Sequence, residues 1–168
     1  MSVQESRSGA ASTDQRAGKY LTFVLANEEY GLEILKVREI IGMMSTTAVP
    51  GMPDYVNGVI NLRGKVIPVI DLRKKFGMPS TEQTSETCII VVDVRSNLMG
   101  LVVDQVSEVL DINGHDIEDA PEIGVTMKNS FILGMAKSKG RVKILLDINS
   151  VLTEGDQEEM LTAAQKSE

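Results

Sequence analysis

Short apolar runs rich in Val and Ile recur through most of this chain, separated by Gly, Asn, Asp or charged residues. Side chains branched at Cβ suit a pleated, packed surface. The stretch from Gly58 to Phe76 sets the pattern. Val59, Ile60, Leu62, Val66, Ile67, Val69 and Ile70 are apolar, and Arg63-Gly64-Lys65 interrupts them. Two strands joined by a tight turn are predicted there. Asp71 then precedes Leu72-Arg73-Lys74-Lys75-Phe76, and Gly77 and Pro79 follow, the N-cap and stop of a short helix. Pro68 cannot donate to a ladder, so its strand should lie at an edge or turn its nitrogen outward.

The same reading gives the rest. Strands are expected over Tyr20–Leu25 and from Tyr30 to Glu33, then a brief helical turn over Ile34–Lys36 and a strand over Val37–Ile41. Residues 45–53 hold three Thr or Ser, two Pro and a Gly, and form a turn-rich connector. Further strands are expected over Cys88–Val94, Leu98–Asp104 and Val106–Ile112, and a final hairpin over Ser130–Ala136 and Val142–Leu146. Residues 156–165 place apolar side chains at helical spacing and read as a closing helix. Residues 1–18 are polar without periodicity and read as a disordered tail.

Two stretches are repeated. Gly140-Arg-Val-Lys-Ile-Leu-Leu-Asp147 repeats the pattern that starts at Gly64, at an offset of 140 − 64 = 76, and Gly134 matches Gly58. Gly100-Leu-Val-Val-Asp-Gln-Val-Ser-Glu108 matches Gly31 to Glu39, at an offset of 100 − 31 = 69. Two matches in the same order imply an internal duplication, with Thr81–Glu86 as the loop between the copies. Many short strands plus a duplication imply a mostly β fold of two similar barrels, with short helices at connections and at the C-terminus and a groove between the barrels.

Composition narrows the function. The chain has 168 residues and is 42% hydrophobic, enough for one domain or two small modules sharing a core. The net charge of −7 disfavours nucleic acid, whose phosphates such a field repels. No apolar run approaches the ~20 residues that span a bilayer, so no direct membrane insertion is expected, and no export signal is evident. Cys88 is the only cysteine; a disulfide within the chain is impossible, and a buried thiol fits the cytosol.

Candidate chemistry is sparse. His115 is the only histidine and lies apart from Cys88, so no metal site is expected. No glycine-rich phosphate-binding motif occurs, and no cofactor is expected. Cys88, flanked by Ile89 and Ile90, reads as strand core and not as a nucleophile. Asp71 and Asp147 occupy equivalent positions and read as twin N-caps; paired acid–base work would need them to converge. Glu39 and Glu108 are likewise paired by the repeat. Arg73-Lys74-Lys75 reads as a solvated helix face. Arg63 stands at a turn from which a guanidinium can project to pair a partner's carboxylate.

Tyr30-Gly-Leu-Glu-Ile-Leu-Lys-Val-Arg-Glu-Ile41, Val56-Asn-Gly-Val-Ile-Asn-Leu-Arg-Gly64, Val66-Ile-Pro-Val-Ile-Asp-Leu-Arg73 and Leu101-Val-Val-Asp-Gln-Val-Ser-Glu-Val-Leu110 resemble the CheW chemotaxis coupling proteins, over a CheW-like region of about residues 19–155. The resemblance implies two SH3-like five-stranded barrels, no catalysis, and a cytoplasmic scaffold linking methyl-accepting chemoreceptors to the CheA histidine kinase in membrane arrays. It implies a kinase-binding surface at Val37, Glu39 and Arg63. It implies a second, ring-closing kinase surface at Ile123, where an aromatic is familiar and where Glu118 stands in place of a basic residue. It implies a groove for the receptor's helical tip near Ile34, Ile40, Val102 and Val103. A CheV-type adaptor is the related alternative, although too little chain follows Leu152 for its receiver domain. A nucleic-acid-binding double barrel is the rival that the net charge disfavours.

Overall fold

The computed structural model describes residues 15–119 and 131–151. The closing helix expected over 156–165, Ile123, and the tail as far as residue 14 lie outside the described residues. The strands are β1 (Gly18–Leu25), β2 (Glu28–Glu33), β3 (Val37–Gly42), β4 (Val56–Leu62), β5 (Lys65–Asp71), β6 (Cys88–Val94), β7 (Asn97–Val103), β8 (Gln105–Ile112), the two-residue β9 (Ile117–Glu118), β10 (Ile132–Ser138) and β11 (Arg141–Leu146). Two one-turn helices follow the hairpins: α1 (Leu72–Lys75) after β5 and α2 (Ile148–Val151) after β11. A 3₁₀ turn over Ile34–Lys36 separates β2 from β3, as the apolar spacing there predicted.

Local chemistry explains the elements. Four hairpin turns carry two successive residues at positive φ: Ala26-Asn27, Arg63-Gly64, Arg95-Ser96 and Lys139-Gly140. That backbone matches the right-handed twist of the strands it joins. Asp71 caps α1, its side chain accepting from the Lys74 amide. Asp147 does the same for α2, accepting from the Asn149 amide at 3.1 Å and the Ser150 hydroxyl at 3.0 Å. The two carboxylates serve separate helices and do not form an acid–base pair. Pro68 lies opposite Val59, whose N–H and C=O are both engaged with Thr47, so β4 asks for no donor there.

The strands form two sheets, in the orders β9-β10-β11-β2-β1-β8 and β3-β6-β7-β5-β4. These are the two SH3-like barrels: barrel I from β3 to β7, and barrel II from β1, β2 and β8 to β11. Read from opposite ends, the two orders superpose: β4 matches β10, β5 matches β11, β7 matches β2, β6 matches β1 and β3 matches β8. The sequence repeats and the barrels are therefore different divisions of the chain. Each repeat gives its first hairpin, β1–β2 or β6–β7, to the barrel completed by the other repeat. Among the described residues four ladders join the repeats: β1 with β8, β3 with β6, and the parallel pairs β2 with β11 and β5 with β7. The equivalent glycines Gly58 and Gly134 both mark register shifts in equivalent strands.

Three apolar clusters follow from strand alternation. Ile60, Ile67, Val69, Ile89 and Val91 fill barrel I. Tyr20, Leu110, Ile112, Ile117, Ala136 and Leu145 fill barrel II. The largest cluster takes Phe23, Leu32 and Leu146 from barrel II and Ile70, Ile90 and Leu101 from barrel I, and so cements the two together. Phe23, Tyr30, Phe76 and Phe131 stack through this region, with successive ring centroids 5.8, 6.0 and 4.8 Å apart.

Candidate docking surface

Glu39 lies on β3, just after a register shift between Val37 and Glu39. The extra residue, Arg38, leaves the ladder and pairs with Asp93 at 2.7 Å. A bulge of this kind re-aims the side chains beside it. Val37 then packs against the interbarrel core, while Glu39 stands opposite Val91, which faces the interior of barrel I.

Arg63 occupies the left-handed region, at φ 52, in the β4–β5 turn. The Gly64 amide donates to Asn61 Oδ1 at 2.8 Å and pins that turn. From there the Arg63 guanidinium donates to the Glu39 carboxylate. That hydrogen bond, and then the carboxylate's charge, push the Arg63 pKa further up. The pair sits on the rim, with the Arg63 side chain 69% and the Glu39 side chain 31% exposed. Arg63 thus projects from the barrel as expected, yet its carboxylate partner lies within the same chain.

The four residues expected at the groove separate. Ile34 packs against the interbarrel core, and Ile40, opposite Ile90, is 45% exposed on that same side of β3. Val103 is fully buried in the interbarrel core, which removes it from any surface. Val102 turns to the other face of β7 and packs against the interior of barrel I. Alternation along one strand forbids two successive residues from lining one groove.

Among the described residues four exposed apolar side chains had no role assigned from sequence, Val142 at 52% among them. Leu35, in the 3₁₀ turn, is 86% exposed; Met44 and Val109 are 40% and 50% exposed. Leu35 was hidden by its place in an apolar run that read as structure. Val109 was findable, since it is the repeat equivalent of Ile40 (40 + 69 = 109). The repeat also foretold a second rim pair. Lys139 is equivalent to Arg63 (63 + 76 = 139) and Glu108 to Glu39 (39 + 69 = 108), and the two meet at 2.8 Å on barrel II.

Other groups settle into structural places. Arg73 grips Asp104 through Nε at 2.8 Å and Nη2 at 2.6 Å, and its third donor reaches the Pro79 carbonyl at 2.9 Å. Asp104 also accepts from the Ala26 amide at 2.9 Å. The Arg73 hydrogen bond holds the Asp104 carboxyl below its usual pKa. Cys88 is half-buried at the start of β6, and burial pushes its thiol pKa up, away from nucleophilic reactivity. Among the described residues no three His, Cys, Asp or Glu side chains cluster as metal ligands, and no helix is long and apolar enough to cross a membrane.

The comparisons with known proteins agree with this architecture. A family model described as "CheW-like domain" matches residues 19–156. The chain is 39% identical over 150 residues to the chemotaxis protein CheW of Klebsiella aerogenes, covering 86% of this chain and 90% of that protein. It is 38% identical over 138 residues to the chemotaxis protein CheW of Rhizobium meliloti, covering 82% and 89%. Its backbone is similar to the crystal structure of the scaffolding protein TtCheW from Thermoanaerobacter tengcongensis, with a TM-score of 0.76, 36% identity, and coverage of 83% of this chain and 95% of that one.

Proposed function

The chain belongs to the CheW-like family of non-catalytic chemotaxis scaffolds, and from that premise we propose that it couples chemoreceptors to the CheA histidine kinase. In this reading the rim of barrel I, where Glu39 and Arg63 are joined, docks the kinase's regulatory domain, with the half-buried Val37 contributing from the opposite, interbarrel face of the same strand. The interbarrel side of β3, with Ile40 exposed on it, and the preceding 3₁₀ turn, with Leu35 exposed and Ile34 packed on the interbarrel core, receive an apolar face of the receptor's helical tip. The protein then works in the cytoplasm, recruited to receptor arrays through these contacts.

The observation that carries the reading is the Glu39–Arg63 pair. A rim ion pair between exposed side chains contributes little to stability. At a docking surface the same two groups can be desolvated together, where geometry and charge decide specificity. Arg63→Ala leaves Glu39 as an uncompensated charge at that surface. It is expected to weaken binding of the CheA regulatory domain at least tenfold, while melting temperature and receptor binding stay near wild type. Isothermal titration of both partners with one mutant checks this. A lowered melting temperature with unchanged kinase affinity would make the pair a cap on its own hairpin and sink the reading.

A further inference from the structure

The strand exchange has a consequence for folding and association. Among the described residues, apart from the two-residue β9 added to the β10–β11 hairpin, every ladder beyond single hairpins runs between the repeats. Within the first repeat, β1 pairs with β2 and β4 with β5, and β3 has its strand partner only in β6. Within the second, β6 pairs with β7 and β10 with β9 and β11, and β8 has its partner only in β1. An isolated hairpin is marginal in water. Among the described residues, neither repeat closes a barrel from its own strands.

The covalent tether between the repeats is slight by comparison. Residues 80–86 are all exposed and in no strand or helix. Their hydrogen bonds are local: the Thr84 amide to the Thr87 hydroxyl at 2.9 Å and the Glu86 amide to the Thr84 hydroxyl at 3.1 Å. Nothing in the four ladders depends on which molecule supplies the partner repeat.

We propose that the two repeats are obligate, mutually complementary halves, so that a chain opened or cut in residues 80–86 assembles its barrels with the matching half of a second copy. The interface is the four ladders together with the aromatic stack and the interbarrel core. A flexible tether of this length gives an effective concentration on the order of millimolar. The intact chain therefore closes on itself at ordinary concentrations, and halves exchange when it refolds crowded.

The test places a protease site between Gln83 and Thr84 of the full chain and cleaves the folded protein. The two pieces are expected to co-elute at micromolar concentration and to melt in one transition whose midpoint rises with concentration. Refolding a mixture of unlabelled and nitrogen-15-labelled cleaved protein should give mixed complexes in statistical proportion by native mass spectrometry. Separate expression of residues 1–83 and 84–168 guards against an effect of the inserted site: each piece alone should be unfolded, and co-expression should restore the folded pair. Either piece melting cooperatively by itself, or the cleaved pieces separating at micromolar concentration, overturns the proposal.

Discussion

The two barrels share a backbone plan but differ in how they are filled, and the difference separates what a fold requires from what a site uses. Equivalent positions hold Ile67 and Leu98 inside barrel I and Lys143 and Glu29 in barrel II. Lys143 is 2% exposed, its amine 3.3 Å from Glu29 and 3.2 Å from the Ser138 carbonyl. Val91 of barrel I becomes Thr22 in barrel II, whose buried hydroxyl bridges the Glu108 backbone at the register shift of β1. The crossovers differ too. Asp104, held by Arg73, stands where the other crossover exposes Leu35, and Asn149 takes the position of Arg73. One crossover is stapled by charge and the other is left apolar and open. The rims, in contrast, agree: each carries a basic turn residue on an acid of the neighbouring strand. Duplication preserved the outer pair while the interiors diverged.

Breaking the barrel II pair should have the largest effect. Glu29→Leu strands a buried ammonium and should cost about 3–5 kcal/mol, whereas adding Lys143→Ile, which copies barrel I, should restore or exceed wild-type stability. Urea unfolding of the single and double variants measures both; a double variant no better than the single would show that the two interiors are not interchangeable.

The equivalent glycines should separate next. A Cβ on Gly58, at φ +143, would lie 2.3 Å from the Thr47 carbonyl oxygen, a backbone atom held by the Val59 amide in an isolated bridge. A Cβ on Gly134 would meet the Ile117 Cγ2 methyl at 2.8 Å, Arg16 Nη1 at 3.0 Å and the Glu118 carbonyl oxygen at 3.1 Å, a tight site but without a backbone atom as close as 2.3 Å and without the positive φ. Gly58→Ala should cost on the order of 3 kcal/mol and Gly134→Ala roughly 1 kcal/mol. Thermal melts of both test the ordering, and equal losses would contradict it.

A further contrast is the stapled crossover. Asp104 has its pKa lowered by Arg73, so its contribution is present above the usual carboxylate pKa of about 4 and is lost as pH falls through the lower folded value. Asp104→Asn should lower stability by about 1.5–3 kcal/mol at neutral pH. It should also flatten the decline in stability below about pH 4. Identical acid profiles for wild type and variant would assign the acid loss to other carboxylates.

The sequence by itself determined the elements. Period-two alternation of Val and Ile marked the strands, Asp71 and Asp147 marked helix starts, and Arg63-Gly64 and Lys139-Gly140 marked turns, because each is a local preference acting over a few residues. Repetition at offsets of 69 and 76 also marked equivalent positions before any contact was visible. Tertiary structure alone decided partnership. Which hairpin enters which barrel depends on ladders between residues far apart in the chain, and either assignment satisfies the same alternation. The meeting of Arg63 with Glu39, 24 residues apart, needed both the bulge at Arg38 and the turn fixed by Asn61. The burial of Val103 beside the differently facing Val102 needed a second barrel packed on one side of β7. Burial is a property of what covers a strand, and the core around Val103 is built from both ends of the chain, Phe23 and Leu32 from one and Leu146 and Val151 from the other.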